Sequence, residues 1–360
     1  MKKLLHVFFE AHHHNQPIYD LFKRFEQYGE IRSHYAYFDR KSFFPEQKFV
    51  PDKEAFYFSA NKDFLPWLRA SCQNYDMVVF HGMFNATLWS FLAEEAEISA
   101  RSAWVVFGGE IYEGLDNVTP ERLQLMRQAS MALKYVLTFT TAEATIVRDQ
   151  LQRSEPIGRY VYIQNWHPEE LTEKPDTAVL PAELARLCSE PDMALLGNSG
   201  TPANHHVEVL SALAKSEFRG SILIPLAYGA SEAYQSEVTE HARSLFPAER
   251  LYFLTEPLAS DTYRYVLNQV NYFLLPHFRQ QAGQHWLAAL ATGIPIFGEP
   301  QGANHQRFEN LGFQVGDVFA PNFDTHYLAS FAANRKLYRE HFNIDKIYNL
   351  WLQNLGLLNY

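Results

Sequence analysis

The sequence has almost no cysteine: Cys72 and Cys188 are the only two in 360 residues. They lie far apart and in no metal-ligand spacing, which argues against a disulfide framework and a zinc–cysteine site and favours a reducing compartment. Long apolar runs are also missing, since none reaches the roughly 18 residues that span a bilayer. The apolar start stops at Glu10 with no small-residue cleavage site after it. It therefore predicts a first β-strand and a cytoplasmic protein, rather than a signal peptide.

Positive charge is scarce as well. The net charge is −10, which argues against nucleic acid as a partner. The deficit is uneven: residues 1–70 carry 11 Lys and Arg against 9 Asp and Glu, and the remainder carries 20 against 32. Such asymmetry arises by chance, or it marks a first segment that faces an anionic membrane while the rest is repelled.

What the chain does have is 47% hydrophobic residues, arranged as short β-type runs alternating with helical patterns. This alternation predicts an α/β fold with parallel sheets covered on both faces. Predicted strands of the first series are Lys3–Phe9, Ile31–Phe38, Ala55–Ser59, Asp76–His81, Ala103–Phe107 and Val136–Thr140. Those of the second series are Met193–Gly197, Ser221–Leu226, Arg250–Leu254, Asn271–Leu275 and Pro295–Gly298.

The break between the two series predicts the domain organisation. A proline-rich stretch, residues 166–191, reads as a linker with a short helix. We expect a Rossmann-like domain over 1–165, a second over 192–325, and C-terminal helices over 326–360 that pack back across the domains. The last helix, 344–357, has one apolar face, which favours packing over lying on a membrane.

Two doubly wound domains in tandem are expected to face each other across a cleft. Ligands of such sheets bind at the carboxyl ends of the strands, so we expect two substrates, one for each domain. This is the plan of GT-B glycosyltransferases and of some sugar-nucleotide epimerases.

Two loops of the second domain have the composition of phosphate-binding segments. Gly197–Asn204 follows a strand, and Asn204 is expected to cap the next helix; glycines and helix N-termini favour close contact with anions. The third glycine of the dinucleotide fingerprint and the GK[ST] of a P-loop are absent, so NAD and ATP are disfavoured. A sugar-nucleotide pyrophosphate or a simple tight turn remains. Pro276–Gly283 follows another strand, and Arg279 offers a fork of donors for phosphate.

Two further residues of this domain are candidates for nucleoside contacts. Tyr228 is expected to stack on a base or ribose, and Glu256 to accept from ribose hydroxyls, although turns and helix caps use the same residues. The candidate donor-binding residues are thus Asn198, Ser199, Gly200, Asn204, Tyr228, Glu256, Arg279, Gln280, Gln281 and Gly283.

In the first domain, candidate acceptor and catalytic residues also follow predicted strands. Glu110 is a candidate general base for a sugar hydroxyl, or simply an acid at a helix N-terminus. Three adjacent histidines, His12 to His14, follow the first strand in what reads as a loop. Neighbouring residues do not easily face one metal, and no HExxH, CxxC or Asp-x-Asp segment supports a metal site. The catalytic candidates are Glu110, His14 and His81; the acceptor-binding candidates are His13, Asn15, Asn85 and Tyr112; neither metal nor cofactor is expected.

Several of these segments together resemble one family. They are Phe80–Trp89 (FHGMFNATLW), Gly109–Glu113 (GEIYE), Gly197–Gly200 (GNSG), Tyr228-Gly229 and Arg279–Gly283 (RQQAG). The family is the 4-acetamido-4,6-dideoxygalactosyltransferase (Fuc4NAc transferase) of enterobacterial common antigen synthesis, glycosyltransferase family 56. The resemblance runs from His6 to about Phe308, and its most specific parts are the FHGMFN and GNSG segments.

The resemblance implies a GT-B fold and transfer of an amino-deoxy sugar from a dTDP-sugar. The acceptor would be an oligosaccharide on undecaprenyl diphosphate (lipid II), and the enzyme would be peripheral to the cytoplasmic face of the bacterial inner membrane. The family has a His-His-Asn in its first loop, here His13 to Asn15, and more often an Asp where this chain has Glu110. A lipid acceptor would give the uneven charge a meaning. Candidate membrane contacts are Lys2, Lys3, Lys23, Arg24, Arg40 and Lys41, with Phe22 and Phe25 inserting.

Three hypotheses follow. The first is a metal-independent glycosyltransferase whose second domain binds the donor. The second is a sugar-nucleotide epimerase, which would turn over a nucleotide sugar without an acceptor. The third is a non-catalytic protein that binds a polysaccharide precursor, in which Arg279 and Glu110 would be dispensable.

Overall fold

The computed structural model describes residues 1–9, 12–38, 55–112, 114–116, 118–154, 156–160 and 180–357, with the backbone alone of His12, His13, His14, Gln16 and Ser260. The chain forms two compact units. The first contains Met1–Asn165 and Phe342–Tyr360, and the second contains Trp166–His341. No helix among the described residues is long and apolar enough to cross a membrane.

The first unit is built on a parallel sheet in the order β3-β2-β1-β4-β5-β6-β7. Its strands are β1 (Lys2–Phe8), β2 (Ile31–Phe38), β3 (Ala55–Phe58), β4 (Met77–His81), β5 (Ser102–Val105), β6 (Tyr135–Thr138) and β7 (Ile157–Arg159). The six predicted strands of this part are confirmed, and β7 is an additional one. Leu4, Leu5 and Val7 of β1 are fully buried, because a strand of a parallel sheet is covered on both faces.

Helices cover this sheet between successive strands. They are α1 (His12–Phe25), α2 (Asn61–Ser71), α3 (Ala86–Glu94), α4 (Ala96–Ser99), α5 (Gly109–Tyr112), α6 (Pro120–Ala132) and α7 (Thr141–Asp149). Side-chain N-caps begin α3, α6 and α7, and on α7 Thr140 and Glu143 form a reciprocal capping box. The expected loop at His12 to Asn15 is wrong, since these residues form the first turn of α1.

The C-terminal helix belongs to the first unit. It is α16 (Ile344–Asn354). The ring of its Trp351 packs on the ring of Phe22 in α1, with 5.2 Å between the ring centroids. Tyr348 packs on Phe25 at 5.1 Å. The last helix therefore packs on α1 within the first unit. Insertion of Phe22 and Phe25 into a membrane is wrong, because they are only 1% and 0% exposed. The candidate membrane contacts Arg40 and Lys41 lie outside the described residues.

The second unit has its own parallel sheet, in the order β10-β9-β8-β11-β12-β13. The strands are β8 (Met193–Leu196), β9 (Ser221–Pro225), β10 (Leu251–Leu254), β11 (Tyr272–Leu275), β12 (Ile296–Gly298) and β13 (Gly316–Asp317). Its helices are α8 (Ala182–Leu187), α9 (His206–Lys215), α10 (Glu232–Leu245), α11 (Ser260–Asn268), α12 (Gly283–Thr292), α13 (Ala303–Asn310), α14 (Thr325–Ser330) and α15 (Ala333–His341). The five predicted strands are confirmed, and β13 is additional.

Each sheet reverses its strand order at one point. In the first unit this switch point lies between β1 and β4, and in the second it lies between β8 and β11. Loops that leave neighbouring strands at a switch point diverge to opposite faces of the sheet and leave space for a ligand. The fold therefore directs attention to the loops after β1, β4, β8 and β11.

Candidate functional site

The loops after β8 and β11 are joined through one buried side chain, Asn204. Its Oδ1 accepts from the backbone N–H of Asn198 at 2.9 Å and lies 2.9 Å from Nε2 of His277. Its Nδ2 donates to the Ser199 hydroxyl at 2.9 Å and to the Thr201 carbonyl at 3.1 Å. Asn204 is fully buried, so these bonds fix the shape of the loop from inside the protein.

A second set of bonds joins the same two loops nearer the surface. Gln281 Nε2 donates to Asn198 Oδ1 at 3.0 Å and to the Ser199 hydroxyl at 3.3 Å. Arg279 Nε donates to Gln281 Oε1 at 3.2 Å. Four of the predicted donor-binding residues thus lie within one half-buried network, immediately before α12 begins at Gly283.

The structure corrects the expected role of Asn204. It does not cap α9, which begins at His206 after His205 in the left-handed conformation. The glycine at 197 is also explained by Asn204. Gly197 has a φ of +76°, and a Cβ there would lie 2.6 Å from Asn204 Oδ1 and 2.9 Å from His206 Nε2. The close approach that requires glycine here is made by the protein's own side chains.

The other predicted donor residues are spread around this network. Gly200 donates to the carbonyl of Tyr228 at 2.7 Å, and the Tyr228 side chain is 60% exposed beside it. Gln280 lies in the turn between Arg279 and Gln281. Glu256 is exposed and follows β10, the edge strand, which is two strands away from β8. The structure therefore groups the predicted residues at β8 and β11 and leaves Glu256 apart from them.

In the first unit, Glu110 lies in the first turn of α5 and is 4% exposed. Its Oε1 accepts from the Phe107 N–H at 2.9 Å and from Nε1 of Trp104 at 3.1 Å. Burial raises the pKa of this carboxyl, although the hydrogen bonds it accepts oppose the rise. Glu110 thus holds the start of α5 and has the shifted pKa that suits a general base.

His81 ends β4 and is fully buried. Its Nε2 lies 2.9 Å from Nδ1 of His6, and its ring stacks on Phe8 at 4.7 Å. Burial lowers the pKa of His6 to about 3 and holds the pKa of His81 well below its ordinary value. The pair is therefore neutral at physiological pH, and His81 is covered by protein.

The remaining acceptor-site candidates have structural contacts of their own. Asn15 is 1% exposed and donates to the Phe9 carbonyl at 2.9 Å, while the side chains of His13 and His14 lie outside the described part. Asn85 caps α3 by accepting from the Thr87 N–H at 3.1 Å. Tyr112 packs against the core of the unit.

Three residues near these sites were not predicted. His277 and Asn304 hold the loop after β11, since Asn304 Nδ2 donates to the Gln281 carbonyl at 2.6 Å. Phe278 of the same loop is 52% exposed. The sequence does place His277 directly after a strand, but its partner lies 73 residues away. Within the described residues, no group of three or more His, Cys, Asp or Glu is arranged to hold a metal ion.

Comparison with solved structures shows the fold. The chain is similar to Anabaena Alr3699/HepE, solved in complex with UDP and glucose, at a TM-score of 0.69 and 14% identity over 99% of this chain and 100% of that one. A UDP-forming α,α-trehalose-phosphate synthase from Burkholderia xenovorans matches at a TM-score of 0.67 and 12% identity, covering 99% of both chains. A glycosyltransferase from Rickettsia africae matches at 0.64 and 13%, covering 99% and 98%. The protein thus has the GT-B fold, as expected.

Comparison with family models identifies the family. The model described as 4-alpha-L-fucosyltransferase, glycosyl transferase group 56, matches residues 1–306. The match covers both switch points and all candidate site residues. The resemblance noted in the sequence is confirmed, and the chain is a glycosyltransferase that belongs to group 56.

Proposed function

We propose that the protein transfers an amino-deoxy sugar of the Fuc4NAc type from a dTDP-sugar to an oligosaccharide on undecaprenyl diphosphate. The observation that carries the donor site is the network of Arg279, Gln281, Asn198 and Ser199 at the switch point between β8 and β11. It offers a guanidinium and two side-chain amides to a diphosphate, and it lies within a chain of glycosyltransferase group 56.

The donor diphosphate binds in the second unit at this network. Arg279 and the amino end of α12 supply positive charge and N–H groups to the leaving nucleoside diphosphate. Charge builds on that group as the bond between the anomeric carbon and the diphosphate breaks. Fixed donors that meet this charge lower the barrier, which is the part a metal ion plays in other transferases.

The acceptor binds in the first unit, where Glu110 takes the proton of the attacking hydroxyl. The new bond joins that oxygen to the anomeric carbon, and the nucleoside diphosphate leaves. Glu110 is favoured over His81 because its pKa is raised, whereas that of His81 is lowered and its ring is bonded to His6. Phe107 and Trp104 hold Oε1 of Glu110, and the proposal assigns the proton to Oε2, which is buried and makes no hydrogen bond within the described residues.

The amino-deoxy sugar, the lipid-linked acceptor and the membrane rest on the resemblance of the FHGMFN and GNSG segments. The proposal places the protein at the cytoplasmic face of the inner membrane as a peripheral enzyme of surface polysaccharide synthesis. The excess of Lys and Arg in residues 1–70 supports this placement, because it would attract anionic lipid headgroups.

Nucleotide binding tests the donor assignment. Calorimetric titration with dTDP, UDP and GDP, each with and without Mg²⁺, is expected to show selective binding of dTDP that does not depend on Mg²⁺. Arg279→Ala is expected to weaken that binding by about 10- to 100-fold, since a charge-assisted hydrogen bond contributes roughly 1.5–3 kcal/mol. Arg219→Ala is the matched control, because Arg219 precedes the amino end of β9, whereas the two donor-binding loops follow the carboxyl ends of β8 and β11.

Other outcomes change the proposal in defined ways. Selective binding of UDP would keep a transferase and overturn the dTDP assignment. Turnover of a nucleotide sugar without acceptor would favour an epimerase. Absence of binding for all three nucleotides would contradict the proposed donor site. Transfer of radiolabelled sugar to an undecaprenyl diphosphate oligosaccharide, and not to the free oligosaccharide, would support the lipid-linked acceptor.

A further inference from the structure

We propose that His277 and Asn204 are positioning residues that hold the two donor-binding loops together through the bond between His277 Nε2 and Asn204 Oδ1. The inference rests on the proposed function and adds to it, because neither side chain is expected to touch the donor. Both are covered by protein, with exposed fractions of 2% for His277 and 0% for Asn204.

The hydrogen-bond pattern fixes the direction of this bond. The Asn204 amide has its oxygen toward the Asn198 N–H and its nitrogen toward the Thr201 carbonyl, so its orientation is determined by two backbone partners. An amide oxygen only accepts, and His277 must therefore carry its proton on Nε2. Nδ1 of His277 is buried and makes no hydrogen bond within the described residues. Burial lowers the pKa of His277 well below its ordinary value, which keeps the ring neutral.

The buried bond differs from the surface bonds between the same loops. Gln281 also joins them, through Asn198 and Ser199. Ser199 is 2% exposed, but Asn198 and Gln281 are half-buried, and their amides are groups that would meet a diphosphate. A ligand that takes those groups breaks the surface connection. The bond between His277 and Asn204 lies beneath and does not compete with a ligand, so it keeps the loops in place when the site is filled.

The loop after β11 is held from its other side as well. The N–H of Ala303 donates to the Phe278 carbonyl at 2.9 Å, and Asn304 donates to the carbonyl of Gln281. Arg279 thus lies on a segment with fixed points on both sides. Loss of the His277 donor would release one side and leave Asn204 Oδ1 short of a partner, which disturbs the loop that carries Asn198 and Ser199.

Two substitutions at one position separate the role of the Nε2 donor from that of ring volume. In His277→Gln the side-chain amide nitrogen can occupy the position of Nε2. In His277→Asn the shorter side chain puts its amide nitrogen at the position of Nδ1 instead. We expect His277→Asn to weaken dTDP binding about 10-fold and His277→Gln to stay within about threefold of the wild type. His241→Gln is the control, because His241 bonds to Ser211 in the same unit, away from both loops.

A merely structural role predicts a different pattern. Both variants would then lower the melting temperature, but at temperatures well below melting they would bind dTDP with the affinity of the wild type. This result would overturn the inference. If wild-type protein binds dTDP and Arg279→Ala weakens it but His277→Asn does not, the inference fails while the proposed donor site stands. If wild-type protein binds no nucleotide, both fail.

A measurement on the wild-type chain covers the case in which a variant does not fold. The ¹⁵N chemical shifts of the His277 ring report which nitrogen carries the proton. The inference requires the Nε2–H form at neutral pH, both without ligand and with dTDP bound. A proton on Nδ1 in either state would overturn it.

Discussion

The two switch points have the same topology and different chemistry. Between β8 and β11 the loops carry amides, hydroxyls and one guanidinium, joined in a hydrogen-bond network around Asn204. Between β1 and β4 the strands carry aromatic rings and the neutral pair of His6 and His81, and the carboxyl of Glu110 lies in α5, after the neighbouring strand β5. Sheet topology therefore decides where a ligand binds in each unit, and the side chains of the loops decide which ligand it is.

Charge makes the assignment of ligands asymmetric. A nucleoside diphosphate is an anion, which a guanidinium such as that of Arg279 would attract and a carboxylate such as that of Glu110 would repel. A neutral sugar hydroxyl that attacks must lose its proton to a base, and a carboxylate can accept that proton whereas a guanidinium cannot. The comparison therefore supports the proposal that the donor binds in the second unit and the acceptor in the first.

The largest expected effect is a loss of sugar transfer without a loss of donor binding, on substitution of Glu110 in the first unit. Glu110→Gln removes the proton acceptor and is expected to lower kcat for sugar transfer by about 100- to 10,000-fold, with dTDP affinity unchanged. Glu110→Asp keeps a carboxylate and is expected to retain much more activity. The measurement is transfer of labelled sugar under saturating donor. Full activity of Glu110→Gln would show that another group takes the proton.

Stability provides the next comparison. Trp351 is fully buried between Phe22 and Tyr160, so Trp351→Ala is expected to cost about 3–5 kcal/mol of unfolding free energy. Trp67→Ala, at a partly exposed site of the same unit, is the matched control and should cost less. Urea unfolding measures both. We expect dTDP affinity to survive in Trp351→Ala, and its loss would contradict independent folding of the donor site.

Acid is expected to destabilise both units through buried neutral histidines. Burial lowers the pKa of His6 to about 3 in the first unit and of His206 to about 4 in the second. In the unfolded chain histidine takes a proton below about pH 6.5, whereas in the folded protein these two buried rings stay neutral. Because the unfolded state then binds more protons, the free energy of unfolding decreases as the pH falls below about 6.5. At about pH 5 each of these histidines lowers the free energy of unfolding by about 2 kcal/mol. His6→Gln and His206→Gln should each reduce the difference between urea midpoints at pH 7 and 5; unchanged differences would contradict this account.

The smallest expected effect concerns Asn85, which the sequence placed in the acceptor site and the structure shows as a helix cap. Asn85→Ala is expected to cost about 1 kcal/mol of stability, and Asn85→Ser to recover most of it, because serine also caps. Thermal unfolding measures the two variants. An unchanged KM for the acceptor in Asn85→Ser would leave capping as its role, whereas a large rise in KM would return Asn85 to the acceptor site.

Much of the fold was predictable because its strands and several of its helix starts follow local sequence patterns. The buried runs of β1, β4 and β8 are apolar apart from His6 and His81, and side-chain N-caps at Thr119 and Ser231 begin α6 and α10. The short edge strands β7 and β13 were missed, because three and two residues carry no periodicity. The start of α1 was missed because three histidines, an asparagine and Pro17 look like a loop.

The site was predictable only in part. Position after a strand identified Arg279, Gln281 and Glu110, since parallel strands end at one edge of a sheet. The pairs that organise the two switch points join residues far apart in the chain: His6 with His81, and Asn204 with His277. No local pattern contains such pairs, because they exist only once the sheet has formed. For the same reason the sequence assigned Asn204 to the ligand, whereas its side chain is directed to the protein.

Hydrogen exchange of the full chain with and without dTDP tests the central claim most directly, since it reports both switch points in one experiment. The account predicts protection of amides in Gly197–Asn204 and in residues 277–285, with no change in Gly82–Asn85 or Gly108–Tyr112. Protection at Gly82–Asn85 and Gly108–Tyr112, with none around Asn204 and Arg279, would contradict the assignment of the donor to the second unit.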